Sequence, residues 1–123
     1  MKNRAELSII IPHYNSPYTL EKLLRSIPKK SEIQIIVVDD RSDEFVEDYQ
    51  RLKAADEYSH VRFLENSTSK KGTGTCINIG LSSAIGKWIL IAGADDYFLE
   101  NFYDKVSKYF ETDYDVVFFS PTS

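Results

Sequence analysis

Short, nearly continuous apolar runs alternate with amphipathic segments along this whole chain, and that alternation limits its fold more than any single residue does. The runs are Leu7 to Ile11, Ile33 to Val38, Trp88 to Ala92 and Val116 to Phe119. Runs of this length, apolar at successive positions, suit strands buried on both faces. The first stops at Pro12. Ser16-Pro17 then reads as a helix cap and first helical residue, with Leu20, Leu23, Leu24 and Ile27 following at helical spacing up to Pro28. The second run stops at Asp39-Asp40, after which Ser42 or Asp43 can cap a helix carrying Phe45, Tyr49 and Leu52 on one face. Val61, Phe63 and Leu64 make a weaker strand, and their charged neighbours Arg62 and Glu65 put it at a sheet edge. Ser67 to Gly74 is a polar loop. The helix after it has Ile77, Leu81, Ala84 and Ile85 as its apolar stripe and Gly86 as its C′ glycine. Leu99, Phe102, Tyr103, Val106, Tyr109 and Phe110 mark a last helix before the strand Val116–Phe119. This order predicts an α/β fold with a doubly wound, mainly parallel sheet.

The chain has 123 residues, room for one domain over 1–123. Its 15 Lys and Arg against 19 Asp and Glu give a net charge of −4, which argues against nucleic-acid binding driven by charge. One cysteine, Cys76, excludes an internal disulfide and a multi-cysteine zinc site. No apolar run approaches membrane-spanning length, and the charged N-terminal residues do not form a secretory leader. A cytoplasmic location is the default expectation.

Ligands of such sheets bind outside the carboxyl ends of the strands. That directs attention to Pro12-His13-Tyr14-Asn15, Asp39-Asp40-Arg41-Ser42 and Gly93-Ala94-Asp95-Asp96. Two acidic pairs on one rim repel unless a counter-ion is present, and a hard divalent cation with a pyrophosphate would supply one. The plainer reading is that aspartate serves as a turn former or helix cap after strands. Tyr14 can stack on a nucleobase or simply pack beside the helix start. His13 reads as a loop residue. Gly72-Thr73-Gly74-Thr75 lacks the Gly-Lys-Ser/Thr of a phosphate loop, so its glycines free the backbone at a helix entry. Lys70 and Lys71 can reach a phosphate or stay solvated. Cys76 reads as packing.

Together these residues resemble the N-terminal half of a family 2 glycosyltransferase with the GT-A fold, from Leu7 to about Phe119. Ser8-Ile9-Ile10-Ile11-Pro12-His13-Tyr14-Asn15 is similar to that family's opening strand and its Pro-x-Tyr-Asn end. Val37-Val38-Asp39-Asp40-Arg41-Ser42-Asp43 is similar to its Val-Asp-Asp-Gly-Ser-x-Asp element. Gly74, then Asn78-Ile79-Gly80-Leu81 and Ala84-Ile85-Gly86-Lys87-Trp88, match its Asn-x-Gly helix and next strand, and Asp95-Asp96 stand at its acidic metal motif.

The resemblance implies transfer of a sugar from a nucleotide-diphospho-sugar, UDP-sugar favoured, to a hydroxyl of a saccharide or lipid-linked acceptor with inversion, as in polysaccharide biosynthesis. It implies nucleotide binding by Pro12, Tyr14, Asn15, Asp40, Lys71 and Asp95, and a Mn²⁺ or Mg²⁺ cofactor held by Asp95 and Asp96. Gly93 stands where the family usually has the first carboxylate of Asp-x-Asp-Asp. The chain is also about half the family's domain length, so it is expected to be a truncated part that binds nucleotide and lacks the catalytic base. The doubly apolar run Val116–Phe119 predicts self-association. The alternatives are a non-catalytic sugar-nucleotide-binding module and a receiver-like regulatory α/β domain. A sugar-phosphate nucleotidyltransferase would need a glycine-rich loop after the first strand, where Pro12-His13-Tyr14-Asn15 stands.

Overall fold

A computed structural model describes residues 5–115. In chain order its elements are β1 (Leu7–His13), α1 (Pro17–Ser26), β2 (Ile33–Asp39), α2 (Val46–Ala54), a 3₁₀ turn (Asp56–Tyr58), β3 (Val61–Glu65), α3 (Thr73–Ser83), β4 (Trp88–Ile91) and α4 (Phe102–Ser107). The strands form one parallel sheet in the order β3-β2-β1-β4. This is the expected doubly wound arrangement, with β3 at an edge. The strand expected at Val116–Phe119 lies outside the described residues.

The two halves of the core follow from strand alternation. Ile9, Ile11, Ile35 and Val37 face one side and pack with Leu20, Leu23 and Leu24 of α1, Tyr49 and Leu52 of α2, and Phe102 and Phe110 from the C-terminal part. Ile36 and Val38 face the other side, against Cys76, Ile79 and Ala84. Ile9, Ile10 and Ile11 have no exposed surface, and burying each contributes roughly 1.5–3 kcal/mol.

β1 does not stop at Pro12, as the proline alone suggested, but continues to His13. The reason lies in the ladder. β4 pairs with β1 only as far as Ile10, whose carbonyl accepts from the Ala92 amide. Pro12, two residues on, turns its nitrogen to the same side, past the end of β4, so no hydrogen bond is lost there.

Three local expectations change. α2 begins at Val46 rather than on a Ser42 or Asp43 cap, because the Ser42 hydroxyl is bonded to Asp39 and Asn15 holds the Asp43 and Glu44 amides. Phe45 takes the N-cap position at φ 56° and leaves half its surface exposed. Gly86 is not a left-handed C′ residue. A Cβ there would stand 2.6 Å from the Ser8 nitrogen and 2.7 Å from the Leu7 carbonyl carbon, so the glycine permits backbone contact with β1. Finally, α3 does not bury the large residues of the expected stripe. Leu81 and Ile85 are exposed, while Cys76 and Gly80 face the sheet. The small residues win because the helix lies too close for a larger one: a Cβ on Gly80 would fall 2.6 Å from Ile10 Cγ2.

Gly80→Ala therefore sets about 1 kcal/mol of better helix propensity against overpacking of about 1–3 kcal/mol on a side chain with nowhere to move. Overpacking should win, with a lower urea midpoint. Gly74→Ala, where nothing lies within 4 Å of the added Cβ, should raise it. If both changes move the midpoint the same way, the close approach of α3 is not the deciding contact.

Candidate functional site

The parallel register aligns His13 with Asp39 and Asp39 with Glu65, so β1, β2 and β3 end on a common line. His13 closes β1 and is 2% exposed, not a loop residue. Its Nδ1 lies 2.9 Å from Asp39 Oδ1, and its Nε2 accepts the Ser16 amide at 3.0 Å. An amide can only donate, so the proton sits on Nδ1 and points at Asp39. The ring stacks on Tyr49 at 4.6 Å. Asp39 also accepts the Ser42 amide at 3.0 Å and the Ser42 hydroxyl. Burial raises this carboxyl, but the hydrogen bonds from His13 and Ser42 outweigh burial and hold it below the usual carboxylate range.

Asp40 points the other way. One oxygen accepts from Asn66 Nδ2 at 2.9 Å, and the other from the Gly72 amide at 2.9 Å. Successive strand residues face opposite sides, so the two carboxylates do not share one counter-ion, contrary to what their adjacency suggested. Asn66, which sequence reasoning passed over, is fully buried. Its amide also donates to the Lys70 carbonyl at 3.0 Å, and its Oδ1 accepts the Thr68 amide and hydroxyl. The only sequence signal for it is an amide residue directly after a strand, a common turn former. Cys76 lies beneath this loop. Burial, with Asp40 nearby, pushes its thiol up to about 11, which fits packing rather than nucleophilic chemistry.

The turns after β1 and β2 are fastened together. Asn15, at φ 55°, accepts the Asp43 and Glu44 amides on Oδ1 and donates through Nδ2 to Asp43. Its own amide donates to the Ser42 hydroxyl. The side-chain amide of Asn15 is thus used inside the protein. Tyr14 stays exposed, with its hydroxyl on Asp43 at 3.1 Å and Lys71 Nζ over its ring at 4.4 Å from the centroid. The hydrogen bonds from Asn15 and Tyr14 hold the Asp43 carboxyl low. Arg41 sits in this turn at φ 57°, its side chain makes no hydrogen bond or ion pair among the described residues, and it occupies the position where the resembling element has glycine.

Tyr14, Asn15, Asp43 and Lys71 therefore form one group, joined to Asp40 through Gly72. Pro12 lies just inside it, at the end of β1. Asp95 and Asp96 stand beyond β4, on the other side of β1, and no hydrogen bond or ion pair among the described residues links them to that group. Neighbouring strands are about 4.8 Å apart, so the ends of β2 and β4 are on the order of 10 Å apart across β1. Asp96 Oδ2 accepts the Gly93 amide at 2.9 Å. A Cβ on Gly93 would meet Asp95 Oδ1 at 3.1 Å and Asp96 Oδ2 at 3.2 Å, so both carboxylates lie over the glycine. Their oxygens suit a hard divalent cation. No cluster of three His, Cys, Asp or Glu side chains able to hold a metal occurs among the described residues. The pair thus fits a cation whose remaining ligands come from a bound phosphate and water.

Comparison with known proteins shows the family. The model of the Glycosyl transferase family 2 matches residues 8–123, and the chain belongs to that family. It is 33% identical over 99 residues to the poly(ribitol-phosphate) β-N-acetylglucosaminyltransferase TarS of Staphylococcus aureus, a match covering 75% of this chain and 16% of TarS. The crystal structure of S. aureus TarS 1–349 in complex with UDP superposes with a TM-score of 0.70 at 27% identity, over 85% of this chain and 31% of that one. The mannosyltransferase PcManGT of Pyrobaculum calidifontis, solved with GDP-Man and Mn²⁺, shares the fold at a TM-score of 0.73 and 21% identity, over 89% and 33% of the two chains. The chain therefore spans about a third or less of these relatives.

Two predictions concern the rim. Relief of the left-handed backbone in Arg41→Gly is worth roughly 1–2 kcal/mol, against about 0.4–1 kcal/mol from the freer unfolded chain. The variant should melt at a higher temperature, and an unchanged or lower melting temperature would contradict the strain. Asp39 has a lowered folded pKa, so its contribution is complete above the ordinary carboxylate value of about 3.9 and disappears as pH falls through the lower folded value. Asp39→Asn should lose about 1–3 kcal/mol at pH 7 and show a flatter stability profile below pH 4. Parallel profiles for the two proteins would remove Asp39 from the acid limb.

Proposed function

We propose that this rim binds the nucleoside diphosphate of a nucleotide sugar, UDP-sugar favoured, and that the protein transfers the sugar to an acceptor hydroxyl with inversion. The observation that carries the reading is Tyr14, an exposed ring tethered by its hydroxyl to Asp43 and set between the acid-bearing ends of β2 and β4. TarS, at 27% and 26% identity, has been solved with UDP and with UDP-GlcNAc, which favours the uridine nucleotide.

In this reading Pro12 and Tyr14 flank the base, and Asp40 takes the uracil or ribose end with lone pairs left free by Asn66 and Gly72. Asn15 acts at one remove, by fixing the turn that carries Asp43. Lys71 and Asp95 face the diphosphate. Asp95 and Asp96 would hold a Mn²⁺ or Mg²⁺ ion, which when bound neutralises charge on the departing diphosphate. The acceptor oxygen forms its bond to the anomeric carbon as the bond to the diphosphate oxygen breaks on the opposite side. The hydroxyl proton passes to a carboxylate base, a role given to none of these rim residues.

Calorimetry with UDP, GDP, CDP and dTDP tests the reading. UDP should bind most tightly, and Tyr14→Ala should weaken it by roughly 1–3 kcal/mol, the usual worth of base stacking. Asp40→Asn should have an effect of similar size. Folded protein that binds none of the four at millimolar concentration would refute the reading. Mn²⁺ should bind detectably only when UDP is present. Tight binding without nucleotide, abolished by Asp96→Ala, would instead mean a preformed metal site.

A further inference from the structure

Lys71 lies against the ring on which the proposed function stacks a nucleobase. Its ammonium lies 4.4 Å from the centroid of the Tyr14 ring. A cation over an exposed ring is held weakly; among the described residues Lys71 Nζ has no carboxylate within ion-pair distance, and Asp43 attracts it only from further off. The ring itself is fixed by the hydrogen bond from its hydroxyl to Asp43. The backbone on the other side is fixed as well, because the Gly72 amide is held by Asp40. A fixed ring and a fixed chain leave the exposed side chain of Lys71 as the part free to move.

We propose that Lys71 is a selectivity residue: its ammonium covers the Tyr14 ring and gives it up only to a ligand that brings phosphate. A neutral base or nucleoside must displace the cation and offers it no new partner. A nucleoside diphosphate displaces it and supplies anionic oxygens, to which a lysine ammonium forms stronger, charge-assisted hydrogen bonds. The seat thereby reads base and phosphate jointly and rejects the nucleoside. This inference rests on the reading of Tyr14 as the base platform.

The test compares uridine with UDP on the wild-type protein, Lys71→Ala and Tyr14→Ala, by NMR titration and calorimetry. Lys71→Ala should bind uridine several-fold more tightly and UDP several-fold more weakly, so that the ratio of the two dissociation constants narrows about ten-fold. In the wild-type protein the ε-methylene protons of Lys71 should be shifted upfield by the Tyr14 ring and lose that shift when UDP is added. An unchanged ratio overturns the proposal. So does a parallel weakening of both ligands, which would mean that Lys71 supports the seat from its far side. Either result, with UDP binding still weakened in Tyr14→Ala, leaves the nucleotide reading intact. UDP affinity unchanged in Tyr14→Ala instead removes the platform on which both readings stand.

Discussion

Asp39 is the residue on which the rim depends. Its carboxylate draws in His13 from β1 and Ser42 from the following turn, and its carbonyl accepts the Asn66 amide at the end of β3. His13 in turn receives the Ser16 amide at the start of α1. One buried acid thus ties three strand ends and a helix entry together. A charge in that position is costly to bury alone, and it is tolerated because each side of the carboxylate is bonded. The neighbouring Asp40 inherits a fixed direction from this arrangement, since the sheet sends alternate side chains to opposite faces. Its carboxylate then organises the loop from Asn66 to Gly72, and that loop carries Lys71 to Tyr14.

The second organising constraint is close approach on the α3 side. Gly80 lets the helix sit against Ile10, and Gly86 lets the chain pass over the backbone of β1 beside Ser8. Ser8 makes use of that proximity, accepting the Gly86 amide at 2.8 Å and donating to Gln34 at 2.6 Å, while Gln34 accepts the Ile85 amide. A polar residue in a central strand is satisfied in this way. Leu81 of α3, Ile85 just after it, and Ile89 and Ile91 of β4 are each at least two fifths exposed.

The polar residues of the rim divide into two classes. His13, Asp39, Ser42 and Asn66 are spent on holding the strand ends, and Asn15 on joining the turns. Tyr14, Lys71, Asp95 and Asp96 are exposed on the surface that those contacts shape. Paired aspartates in sequence are therefore not equivalent: Asp39 is structural because it faces the core with a histidine partner, and Asp95 and Asp96 are available because they lie past the sheet.

The order of strands and helices over the described residues and the edge position of β3 were legible from apolar runs, helical spacing and chain alternation, because those patterns are local and burial on two faces leaves few other folds. Most of the residues that stand at the strand ends were legible too. Their division of labour was not. Whether His13 is a loop residue or a buried partner depends on which strand lies beside β1, and that pairing is long-range. The exposed side of α3 could not be read from side-chain size, since the deciding quantity is the distance between Gly80 and Ile10. Nor could it be settled which of Asp39 and Asp40 faces which side before the register placed His13 beside one and Asn66 beside the other. Sequence determined which residues reach the rim; tertiary structure decided which of them remain free to meet a ligand, because hydrogen bonds between distant segments consume the rest.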